Sequence, residues 1–175
     1  MKKIALTLVS LIALALGTAG AGLTTASAAI PGNTLKIVRV GTDAMGADSF
    51  ANRNREYVTF KNVSGADVDV AGVLVEDNWS HSNSHHHSCN FYKIAHLPGT
   101  SGTVLHANEY VTVFNGWHSG GDYRTGSEYR LYANSDTDCG ASGHFFNNDA
   151  DTVWVTKGDV TDSKSWDWNG GYYVR

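Results

Sequence analysis

Proline is almost missing from this chain: Pro31 and Pro98 are the only two. Within the body of the sequence it bars a central strand position at 98 alone. Cysteine is as scarce. Cys89 and Cys139 allow one intrachain bridge at most, closing a loop of about 50 residues. Charged residues make up 17%, with no block of like charge and no internal repeat. Beyond residue 28 no apolar run is long enough to cross a bilayer as a helix, and no segment holds a helical period. Catalytic signatures are missing too. There is no G-x-S-x-G elbow, no H-E-x-x-H, no phosphate-binding loop and no glycine-rich dinucleotide turn. Serine, histidine and aspartate are plentiful but stand in no recognisable order. A non-enzyme is expected, with a small secreted hydrolase whose site assembles only in space as the alternative.

What is present begins with an address. Met1-Lys2-Lys3 is a positive start, Ile4 to Leu16 is mostly apolar, and Ala26-Ser27-Ala28 is a small-residue cleavage site. The order is that of a secretory signal peptide over residues 1–28, cut before Ala29. Residues 29–34 read as a short extension and 35–175 as one domain, large enough for its own core. The signal takes two lysines and no acid, so the mature charge falls from −4 to −6. An acidic module repels phosphate backbones, so nucleic acid is an unsuitable partner. The expected product is secreted, monomeric and without a membrane span once the signal is cut. Export favours a Cys89–Cys139 disulfide, for which chain entropy gives roughly 4 kcal/mol.

The remaining signal is strand-like. Leu35–Val40 alternates, with Leu35, Ile37 and Arg39 on one face and Val38 and Val40 on the other. Tyr57-Val58-Thr59-Phe60 is β-branched and aromatic, as a pleated, half-buried surface requires. Ser64-Gly65-Ala66-Asp67 is turn chemistry, and Val68-Asp69-Val70 alternates again, so a hairpin is expected. Further strands are read at Val73–Val75, Phe91–Ile94, Tyr110–Phe114, Tyr129–Tyr132, Thr152–Thr156 and Ser163–Trp168. Stretches 41–54, 78–90 and 117–126 read as loops. Short strands with turns between them predict an all-β, antiparallel sandwich.

Three blocks resemble the lamin-tail domain, an immunoglobulin-like β-sandwich found in nuclear lamins and in exported bacterial proteins. Glu56-Tyr57-Val58-Thr59-Phe60-Lys61-Asn62 with Val68-Asp69-Val70-Ala71-Gly72 is similar to that family's E-[WY]-V-x-[IL]-x-N … V-D-L-S-G opening. Leu97-Pro98-Gly99-Thr100 and Val104 to Val113 resemble its L-x-P-G-E-x-V-x-V strand, with Ala107-Asn108-Glu109 in place of Pro-Gly-Glu. Phe146-Asn147-Asn148-Asp149-Ala150-Asp151-Thr152-Val153, then Val160 to Trp166, resemble W-N-N-x-G-D-T-V … V-D-S-x-S-[WY]. Phe146 and Ala150 replace a Trp and a Gly there, and Val73 stands where an aromatic often follows. The resemblance spans most of Leu35 to Trp168. It implies an immunoglobulin-like sandwich, no catalytic residues, and an interaction or structural role toward an unknown protein or cell-envelope component.

Three groups of side chains are candidates for chemistry. His81, His85, His86 and His87, beside Cys89, carry imidazoles that suit zinc or copper; a solvated polar loop is the plainer reading, and no cofactor is required. Asp151 matches the aspartate of the family pattern and is expected to bond turn backbone. Trp166 and Trp168 share a strand face, as core if buried and as a contact platform if exposed.

Overall fold

The computed structural model describes residues 30–42, 49, 51–82, 89–134, 144–146 and 150–166. Its strands, in chain order, are β1 (Leu35–Gly41), β2 (Tyr57–Asn62), β3 (Val68–Asp69), β4 (Leu74–Glu76), β5 (Phe91–Lys93), β6 (Val104–Leu105), β7 (Tyr110–Phe114), β8 (Tyr123–Thr125), β9 (Glu128–Tyr132), β10 (Asp151–Lys157) and β11 (Asp159–Trp166). Among the described residues a 3₁₀ turn (Arg53–Arg55) precedes β2, and a helical turn, α1 (Asn78–His81), follows β4. A five-stranded sheet has the order β1-β2-β7-β9-β8, and a four-stranded sheet β11-β10-β4-β5. β3 and β6 form a small third sheet. The chain is an all-β sandwich.

Alternation explains which face each strand buries. Val58 and Phe60 of β2, Val111 and Val113 of β7, and Tyr129 and Leu131 of β9 point inward. They meet Val75 of β4 and Val153 and Val155 of β10 in one apolar cluster. Val70, Val73, Ile94, Leu97 and Leu105 extend this cluster under the β3–β6 pair. Each side chain of this size contributes about 1.5–3 kcal/mol when fully buried, so the cluster is the main source of stability.

The expected hairpin around Ser64–Asp67 does not form. The turn is there, but β3 pairs with β6 while β2 lies between β1 and β7. Asn62 is the reason. Its buried Oδ1 accepts from Ser64 N at 3.0 Å and Ser64 Oγ at 2.7 Å. Its Nδ2 donates to Ala66 O at 2.8 Å and Leu105 O at 2.9 Å. One amide thus builds the turn and steers the chain onto β6.

Four other expectations need correction. The sandwich is not wholly antiparallel: β7 and β9 run parallel, because the connection after Phe114 carries β8 to the outer edge before the chain returns as β9. The stretch 117–126 therefore holds a strand, joined to β9 by a two-residue Gly126-Ser127 turn in which Gly126 takes φ 59°. The stretch 78–90 opens with α1, whose N-terminus Asp77 caps by accepting from Ser80 N at 2.6 Å. In β1 the register shifts between Ile37 and Arg39, so Ile37 partners core Phe60 but Arg39 partners Thr59 and turns outward. Leu35, Ile37 and Arg39 do not share a face.

Candidate binding surface

Register partners lie side by side on the same sheet face. Across the outer face of the five-stranded sheet, Tyr57, Phe114 and Tyr132 stand opposite one another on β2, β7 and β9. Tyr57 and Phe114 have centroids 5.6 Å apart, and Phe114 stacks on Tyr132 at 5.0 Å. His118 continues the row, stacking on Tyr132 at 5.2 Å. The neighbouring row is Arg39, Thr59, Thr112, Arg130 and Tyr123.

Charge clads this second row. Glu128 accepts from Arg39 at 3.4 Å and from Arg130 at 3.2 Å, and Thr112 Oγ1 also donates to it. Arg130 lies 5.9 Å from the Phe114 centroid and 5.7 Å from that of Tyr123, and it donates to the Tyr123 hydroxyl at 3.1 Å. That bond holds the Tyr123 phenol below its usual pKa. The long side chains roof the small ones between them. Thr59 and Thr112 are buried on an outward face, bonded to each other at 2.8 Å.

Ring faces in the row are thus filled by neighbouring rings and by Arg130. The exposed aromatic at this end is Trp117, 63% accessible and one residue before His118. Its backbone is fixed: Asn54 Nδ2 donates to Trp117 O at 2.7 Å. A Cβ on Gly116 would come within 2.3 Å of Asn54 Oδ1, so glycine there permits the contact. An exposed indole on a held backbone gives an apolar anchor at this end of the sheet.

A buried ionisable pair fixes the loops at this end. Glu56 and His144 meet at 2.7 Å, Oε1 to Nδ1, with side chains 0% and 4% exposed. Glu56 Oε2 accepts from Asn115 Nδ2 at 3.0 Å, Phe145 N at 3.0 Å and Phe146 N at 3.4 Å. His144 Nε2 faces Ser49 O at 3.2 Å, so it carries a proton. The short Oε1–Nδ1 contact then requires a second proton between the two side chains. Burial outweighs the hydrogen bonds and raises the Glu56 carboxyl to about 7. The pair ties β2 to residues 49, 115 and 144–146. Glu56 opens the first family-like block, but nothing in the sequence pairs it with His144, 88 positions away.

The sequence-derived candidates are dispersed. His81 stacks on Trp154 at 4.2 Å, with Nδ1 3.7 Å from Glu76 Oε2. His85, His86 and His87 lie outside the described residues, and among those described no group of three metal-ligating side chains converges. Cys139 also lies outside them; no cysteine among those described is free. Asp151 Oδ1 accepts from Thr152 N at 2.7 Å and from Asn78 N at 3.2 Å, joining β10 to α1. Trp166 is buried, edge-on to Phe146 at 5.6 Å, and offers no exposed platform. Trp168 falls outside the described residues. Sequence reading missed the surface at Trp117 because the chain around it carries loop residues; only the Gly126-Ser127 turn signals the strand that frames it.

No model of a known protein family matches this chain, and no curated protein matches it.

Proposed function

We propose that the chain is an exported, non-catalytic β-sandwich module of the lamin-tail kind, which acts outside the cell by binding a protein or cell-envelope component. Trp117 carries this reading. It is the most exposed of the large apolar side chains among the described residues, at 63%, while its backbone is held by Asn54. Such anchors dominate binding energy at interfaces. The signal-like residues 1–28 and a Cys89–Cys139 bridge suit an oxidising compartment; the lack of a free thiol among the described residues supports the bridge. The test is a pulldown of glycan and cell-wall fractions by the purified secreted protein, run beside a hydrolase activity screen. Retention without turnover supports the reading. Turnover, or retention by no fraction, counts against it.

Weak zinc or copper binding through His81, His85, His86 and His87 is a second reading. It is favoured by the approach of His81 Nδ1 to the buried Glu76 carboxylate. Titration calorimetry of the protein against a variant with His85, His86 and His87 changed to Ala separates it from the first. Binding should weaken as pH falls through about 6.5, where imidazoles take up protons.

A further inference from the structure

Between the two main sheets the sandwich has one edge where β1 and β11 face each other. Each is an edge strand: among the described residues β1 pairs only with β2 and β11 only with β10. Asp162 joins them at one end. Its Oδ2 accepts from Ile37 N at 2.8 Å, and its Oδ1 meets Lys36 Nζ at 3.2 Å. From that clasp the strands run in the same direction, Ile37 toward Thr42 and Asp162 toward Trp166, and part around a cavity of about 210 Å³.

The cavity walls have a definite chemistry. Ile37, Val38, Val40 and Trp166 supply apolar surface, Thr42 supplies a hydroxyl, and Arg39 and Lys164 are cations; Ser165 also lines it, with its hydroxyl turned to Thr152. Among the described residues no acidic side chain lines it. Arg39 is committed to Glu128 on the outer face, which leaves Lys164 as the cavity's own charge. Lys164 is the register partner of core Val153, so it projects inward from an edge strand. An inward edge charge can serve simply to prevent pairing with other chains. At the clasped end Asp162 does that; Lys164 instead stands beside open volume.

We propose that this cleft takes an extended peptide segment as an added strand, with apolar residues at alternate positions and a carboxylate against Lys164. Among the described residues neither β1 nor β11 has a second strand partner, which is the requirement for strand addition. Alternate side chains of the incoming strand would enter the floor between Val40 and Trp166. The net positive lining among the described residues selects a carboxylate over an ammonium or a neutral amide end. The proposal stands apart from the Trp117 surface and does not depend on it.

The test is a nuclear magnetic resonance titration of the ¹⁵N-labelled secreted protein. The probe is a six-residue peptide of alternating valine and threonine with a free C-terminal carboxylate. Its amidated twin and octanoate serve as comparators. The proposal expects shift changes and slowed amide exchange confined to residues 37–42 and 162–166. It also expects binding about fivefold or more weaker for the amidated peptide, and for the carboxylate peptide on a Lys164→Met variant, as fits one partly buried charge contact. Octanoate shifting the same amides equally would overturn it, because the cleft would then read an amphiphile and not a strand. Concentration-dependent shifts without peptide would assign the cleft to a second copy. Binding seen only after deletion of residues 167–175 would assign it to the chain's own end. Either of these, or no shift at all, also overturns it.

Discussion

Changing Glu56 to Gln should flatten the dependence of stability on pH. In the folded protein, burial raises this carboxyl from 4.5 to about 7. The folded state therefore keeps a proton that the unfolded chain releases between those values. The stabilisation is complete below about 4.5 and is lost as pH rises through about 7. The gap corresponds to roughly 3 kcal/mol, at about 1.4 kcal/mol per pH unit. The geometry gives the cause. With His144 Nε2–H turned to Ser49 O, loss of the shared proton sets the Nδ1 lone pair against Oε1 at 2.7 Å. A glutamine at 56 can donate to Nδ1 and still accept from Asn115 and Phe145 without titrating. Asp77, raised to about 6 by burial, adds the same slope to both proteins and cancels in the comparison. Urea unfolding at pH 5 and pH 8 is the assay. Wild type should lose about 2–3 kcal/mol more than Glu56→Gln across that interval. Parallel profiles, or a wild type more stable at pH 8, would show that Glu56 and His144 do not share a proton in the fold.

Other outcomes follow from the same packing. Phe60→Ala removes a fully buried ring from the middle of β2 and should cost about 3–5 kcal/mol, read as a lower urea midpoint. Asp77→Ala removes the cap on Ser80 N and the bond from Asn90 Nδ2 at 2.6 Å. It should cost about 1–2 kcal/mol and speed amide exchange at residues 78–82; unchanged exchange there would mean that the cap does not hold α1. The intact mass of the secreted protein should correspond to a chain beginning at Ala29 and lie about 2 Da below its reduced form, the two hydrogens of one bridge. A full-length chain or two free thiols would contradict the export reading.

Strands rich in β-branched and aromatic residues were legible because their period survives in the fold. β2, β7 and β10 carry core residues at the alternate positions read from sequence. Pairing was less legible. Ser64–Asp67 is a true turn, yet the partner of β3 was decided by Asn62 bonding Leu105, a contact across 43 positions. The bulge in β1 turned Arg39 outward, and no residue type at Val38 announces it. β8 is three residues long with two of them exposed, so it has no hydrophobic alternation to detect. The surface at Trp117 and the Glu56–His144 pair both arise from contacts between distant loops, which a single sequence does not bring together. Asp151 bonds the adjacent Thr152 N within β10 and Asn78 N at the start of α1, the second a contact across 73 positions.

The most direct measurement of the binding account is the retention of the secreted protein on a cell-wall fraction, compared among wild type, Trp117→Ala and a control, Lys93→Ala, on the edge strand β5 of the other sheet. Loss of a central indole anchor costs about 2 kcal/mol or more at an interface, so Trp117→Ala should bind at least about 30-fold more weakly. Lys93→Ala should bind like wild type, and all three should unfold at the same urea concentration. Equal retention of Trp117→Ala and wild type would contradict the account.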